Sequence, residues 1–163
     1  MTEFALPPIP PDFTLMHRAA LEDYAAEVDH ILRAKSARLD NDVAALTVFL
    51  MAVGRAACYP DPIPKVKRPS RKASQVICAL RVTVRSRSEI YAEVYSEKSE
   101  ADQPLEKTID VWLSRARWIL ALIDCPIQNV WGQGYALPNR AQLQQLVAEY
   151  QATGTLPELG FET

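Results

Sequence analysis

The sequence predicts a mainly α-helical fold with one small β-hairpin, in which a three-helix unit and the hairpin are preceded by a helical hairpin and followed by a C-terminal helix. Three observations lead there. Apolar residues recur at helical spacing in several separate stretches, the four-proline segment Tyr59–Pro69 interrupts them, and Ile127–Leu137 reads as strand, glycine bend and strand. With 163 residues, 48% hydrophobic and 23% charged, the chain has ordinary globular composition and room for one full core, or for one small domain with a helical attachment.

Leu6-Pro7-Pro8-Ile9-Pro10-Pro11 is expected to be an extended arm, because each proline fixes its own φ and restricts the residue before it. From about Phe13 to Arg38, Leu21, Tyr24, Val28, Ile31 and Leu32 share one helical face. Acidic residues come early in this stretch and Arg33, Lys35 and Arg38 late, as the helix dipole favours. Asp40 or Asn41 is placed to cap a second helix whose face is Val43, Leu46, Phe49, Leu50 and Val53. The pair reads as a helical hairpin, which must cover its apolar stripes on the rest of the chain or on a second copy of itself; the latter makes a homodimer.

After the proline-rich linker, Ser70 is expected to cap a helix carrying Val76, Ile77 and Leu80. A short β-branched run, Val82-Thr83-Val84, precedes a helix from Ser86 or Ser88 with Ile90, Tyr91, Val94 and Tyr95. A longer helix spans about 105–123, the hairpin about 127–137, and a last helix capped by Asn139 carries Leu143, Leu146, Val147 and Tyr150 and stops by Gly154. The expected organisation is therefore residues 1–64 as arm and hairpin, 65–138 as the central domain, and 139–163 as helix and tail.

Charge is unevenly spread. Residues 65–138 hold 12 basic and 8 acidic side chains, whereas residues 1–64 hold 5 and 9, and residues 139–163 hold 1 and 3. A basic centre between acidic flanks suits nucleic acid, or an acidic protein surface. In the helix over 105–123, Ile109, Leu113, Ala116, Leu120 and Ile123 form the inward stripe at roughly 100° per residue. Lys107, Val111, Ser114, Arg115 and Trp118 then face away from it, with Thr108 and Arg117 on its flanks. Such a surface can bond guanine or hold phosphate. Trp118, nearly opposite the core, is expected to need a partner: DNA, another protein or the N-terminal hairpin.

Lys107-Thr108-Ile109-Asp110-Val111-Trp112-Leu113-Ser114-Arg115-Ala116-Arg117 resembles the T-V-D-V-H-I-x-R-L-R recognition helix of the winged helix-turn-helix effector domain found in bacterial response regulators of the OmpR/PhoB type. Val130-Trp131-Gly132-Gln133-Gly134-Tyr135-Ala136-Leu137 is similar to that family's V-x-G-x-G-Y-R-L wing. The likeness covers less than half the chain. It implies a winged helix-turn-helix that binds double-stranded DNA in a bacterial or phage transcription regulator. It also implies DNA contacts from the positions of Lys107, Thr108, Val111, Ser114, Arg115 and Arg117, with the wing positions of Trp131 and Tyr135 at the minor groove and near phosphate. Trp131 stands where the family commonly has arginine, Trp112 where it often has histidine, Ala116 for a core leucine and Ala136 for a frequent basic residue. The 64 residues in front are too few for a phosphoacceptor domain of about a hundred residues. The alternative reading is a protein-binding winged helix acting on RNA polymerase or another regulator.

Other classes have less support in the residues. No catalytic constellation is present: Glu106 and Asp110 are spaced as a solvated helix-start pair, and Gly132-Gln133-Gly134 lacks the third glycine and following helix of a phosphate loop. No metal site or cofactor is expected, since Cys58, Cys78, Cys125, His17 and His30 show no ligand spacing; the cysteines read as reduced, buried thiols. The longest apolar run, about Leu46–Val53, is far short of the roughly 20 residues of a membrane span, and MTEFALPPIPPDF lacks a basic region followed by an apolar one. A cytoplasmic protein without a membrane partner is the expectation.

Overall fold

The structure is a computed structural model that describes residues 18–59, 61–65, 67–80, 83–96 and 98–158. The proline-rich arm and Val82 of the β-branched run lie outside the described residues. The fold is mainly helical with one two-stranded antiparallel sheet. The chain divides into two units, residues 1–42 and residues 43–163.

The first helix, α1, runs unbroken from Arg18 to Cys58, so the helical hairpin expected from the sequence is not formed. The physical reason is local. Asp40, Asn41 and Asp42 are weak helix formers at a cost of only a few tenths of a kcal/mol each, and no glycine or proline stands between Arg18 and Val53 to break the ladder. Potential caps do not end a helix when nothing opposes its continuation. By length and composition alone, α1 over Ala20–Cys58 is long and apolar enough to cross a membrane, because apolar residues on either side extend the expected run Leu46–Val53 with few charges. In the first unit Leu21, Tyr24, Val28 and Ile31 are half-buried at helical spacing, Leu32 and Leu39 are exposed, and Asp29 pairs with Arg33 one turn on at 2.8 Å.

In the second unit the remainder of α1 supplies Val43, Leu46, Phe49, Leu50 and Val53, all buried. Three helices join it: α2 (Arg71–Ala79), α3 (Arg87–Tyr95) and α4 (Thr108–Ala121). Ser70 caps α2, its Oγ accepting from Ala73 N–H at 3.3 Å. Ser86 caps α3 in a reciprocal box: its Oγ accepts from Glu89 N–H at 3.3 Å and its own N–H donates to the Glu89 carboxylate at 2.8 Å. Val76, Ile77, Leu80, Ile90, Val94, Ile109, Leu113, Ala116, Ile119 and Leu120 fill the space between these helices. Among the described residues Ser74 is wholly buried in this core, where its Oγ accepts a hydrogen bond of 2.8 Å from the hydroxyl of Thr47 on α1.

Strands β1 (Gln128–Val130) and β2 (Gly134–Ala136) pair antiparallel, with Gln128 opposite Ala136 and Val130 opposite Gly134. Of the expected β-branched strand, the pairing present is a bridge one residue later, at Arg85: its N–H donates to Tyr135 O at 2.9 Å and Tyr135 N–H donates to Arg85 O at 2.8 Å. The last helix, α5 (Arg140–Thr153), ends at Gly154 with φ 70°. It belongs to the same unit, with Leu143 buried and the Phe49 and Tyr150 rings 5.6 Å apart. Asn139 does not cap α5 with its side chain. Its Nδ2 donates instead to Asp124 O at 2.8 Å, pinning the turn after α4, where Asp124 has φ 53°.

Candidate nucleic-acid interface

Helix α4 starts at Thr108, three residues later than the broad expectation, with Lys107 at the cap position and Asp110 in the first turn. Its stripe Ile109, Leu113, Ala116 and Leu120 is buried, and Ile123 just beyond the helix is buried with it. Lys107, Val111 and Ser114 are exposed on the other side, Val111 to 47%. Thr108, Arg115 and Arg117 are half-buried at the margins. Leu105 and Glu106, expected as the first residues of the helix, are exposed in the turn before it.

Arg115 and Arg117 leave α4 on opposite flanks, because two residues correspond to about 200° of rotation. Each guanidinium sits over an aromatic ring. Arg115 lies 4.8 Å from the centroid of Trp112, and Arg117 lies 5.4 Å from that of Tyr135 in β2. Arg117 also donates to Asn129 Oδ1 on β1, so the hairpin and α4 are joined through a side chain expected to meet DNA. Half-exposed cations held over rings lose less freedom on meeting an anion than mobile ones.

The hairpin stands beside the N-terminal turns of α3 and α4. Between them is a shallow groove lined by Arg87, Glu106, Trp131, Gln133 and Tyr135. Arg87 pairs with Asp110 at 3.0 Å, and Ser88 Oγ donates to Glu106 at 2.9 Å. A side-chain hydrogen bond with Tyr135, and then the Asp110 carboxylate, hold the Arg87 proton more firmly than in a free guanidinium. Both carboxylates at this face thus have local partners. Sequence reasoning missed Arg87; the signal was the Val-Arg-Ser-Arg connection, whose second arginine opens the helix next to the hairpin.

Trp131 is 97% exposed at the hairpin bend. Gly132 follows with φ 72° and Gly134 with φ 132°, conformations that side chains with a Cβ resist. Trp118, expected nearly opposite the core, is half-buried against it, and Lys67 Nζ from the proline-rich linker sits 5.3 Å from its ring. The linker itself is anchored, with Ile63 and Pro69 buried. Cys78 and Cys125 are buried and Cys58 half-buried, all three as free thiols, and among the described residues no group of histidine, cysteine or carboxylate side chains is arranged to hold a metal.

No protein-family model, curated protein or solved structure matches the chain.

Proposed function

We propose that residues 65–138 act as a winged helix-turn-helix that binds double-stranded DNA, with α4 as recognition helix in the major groove and the β1–β2 hairpin as wing. The element order supports this reading: helix, short bridge, helix, helix and hairpin, with α3 and α4 forming the helix-turn-helix and Arg85 completing the sheet edge. The observation that carries it is the face of α4. Lys107, Val111 and Ser114 stand outward between two flanking arginines, each held over an aromatic ring. Thr108 sits at the helix start, where a hydroxyl reaches phosphate, and Tyr135 and Trp131 extend the surface onto the wing. The protein is then a transcription regulator, and base contacts from α4 set its specificity while the flanks set its grip.

The test is duplex binding by the intact chain, using fragments selected from a random pool. Arg117→Ala is expected to weaken binding about ten- to a hundred-fold, in line with the ~1–3 kcal/mol of one such contact, with circular dichroism showing the helical fold retained. Failure of the unmodified chain to shift any duplex at low salt would defeat the proposal.

The bare indole of Trp131 favours a second reading, a protein-binding winged helix acting on RNA polymerase or another regulator. Salt separates the two. Binding through phosphates falls steeply as salt rises, whereas an aromatic protein contact responds little.

A further inference from the structure

The Arg115 flank of α4 continues into a surface that neither sequence motif includes. Trp112 donates its indole N–H to the Tyr95 hydroxyl at 3.2 Å, joining α4 to the end of α3. Three cations from separate segments lie over these two linked rings. Arg115 lies 4.8 Å from the Trp112 centroid, and Lys72 Nζ and Lys98 Nζ lie 4.5 and 5.9 Å from that of Tyr95. Lys72, in α2, is fixed there by donating to Val94 O at 2.9 Å. Lys98 follows α3, and its carbonyl accepts from Gln103 Nε2 at 2.9 Å, which braces the loop that carries it.

Gathering like charges is unfavourable, and ring faces offset only part of the repulsion. Among the described residues neither Arg115 nor Lys98 has a carboxylate within ion-pair distance. The arrangement suits a multidentate oxyanion.

We propose that Arg115 and Lys98 form a cradle for the phosphates of one DNA strand, on the side of α4 away from the wing. The proposal rests on the DNA-binding reading and deepens it. A helix about 10–12 Å across fills a major groove about 12 Å wide, so its two flanks meet the backbones of opposite strands. Arg117 and Arg87 on the wing side serve one backbone, and the Trp112–Tyr95 platform serves the other. Phosphate contacts carry no base information, so the cradle fixes register and grip and leaves sequence preference to Lys107, Val111 and Ser114.

The experiment measures duplex affinity against salt for the intact protein, Lys98→Gln, Arg115→Gln and the double variant, with circular dichroism to verify folding. Each lost phosphate contact lowers the slope of log affinity against log salt by about 0.9, so the double variant is expected to lose nearly two from its slope while ranking duplex sequences as before. An unchanged slope in the double variant overturns the cradle, as does a change in sequence ranking, which makes Arg115 a base reader. Because Lys98 is exposed, Lys98→Gln alone decides the point should Arg115→Gln disturb the fold. If the intact protein binds no duplex at any salt, the DNA reading itself fails and takes the cradle with it.

Discussion

At Gly134 a single hydrogen decides whether the hairpin can lie where it does. A Cβ built there would come within 2.1 Å of Arg85 O and 2.7 Å of Arg85 C, both backbone atoms that cannot swing aside. Gly134→Ala is therefore expected to break the Arg85–Tyr135 bridge and to cost at least about 1–3 kcal/mol, visible as a lower unfolding temperature. At Gly132 a Cβ meets nothing within 4 Å, so Gly132→Ala carries only the left-handed backbone penalty of roughly 1–2 kcal/mol. Both glycines were legible in the sequence as a bend, but which of them also yields to a neighbouring backbone was not, since Arg85 lies 49 positions earlier in the chain. Glu89 offers a second test at this scale. Its hydrogen bonds from the Ser86 backbone and then the Ser86 side chain hold its carboxyl below the usual carboxylate range. A carboxyl with a depressed folded-state pKa adds stability above its unfolded value, near 4.3, and loses it as pH falls through the folded value. Thermal unfolding followed from pH 6 down to 3 is expected to show a smaller acid loss in Glu89→Gln than in the unmodified protein; parallel curves would remove the box from the account.

Helices were readable wherever one face repeats and a cap coincides with a breaker. Pro69 before Ser70 starts α2, and Ser86 with Glu89 starts α3. The stripe of α4 was readable for the same reason, and with it the outward placement of Lys107, Val111 and Ser114. Trp118 was not, because helical periodicity describes one helix and is silent about the linker that supplies Lys67. The Tyr95–Trp112 platform was hidden likewise, being assembled from residues 17 positions apart. In α1, Asp40 or Asn41 was expected to cap a second helix, and both are helix-interior residues. The two roles make opposite predictions. At a hairpin cap, Asn41→Ala costs about 1 kcal/mol; inside a continuous helix it gains a few tenths, since alanine is the better helix former. An equal or higher helical signal by circular dichroism is expected, and a clear loss would restore the hairpin.

For the whole molecule, the boundary within α1 changes which truncation isolates the basic domain. Cutting at the proline-rich linker removes Val43, Leu46, Phe49, Leu50 and Val53, every one buried with the residues of α2 and α4. At about 1.5–3 kcal/mol for each buried apolar side chain, that loss rivals the 5–15 kcal/mol stability of an entire domain. Residues 65–163 alone are thus expected to be unfolded, whereas residues 43–163 keep the complete core and should unfold in one cooperative transition. Only the second truncation bears on self-association. Dimeric regulators match the two-fold symmetry of paired half-sites, and the half-buried stripe of Leu21, Tyr24, Val28 and Ile31 lies in the unit that this truncation removes. If that stripe joins two copies, sedimentation should give a dimer for the intact chain and a monomer for residues 43–163. The shorter form should still bind a single half-site with its base preference intact, because α4 and the hairpin are wholly retained. An intact chain that sediments as a monomer at concentrations where it occupies paired half-sites would separate DNA recognition from dimerisation and leave α1 without that role.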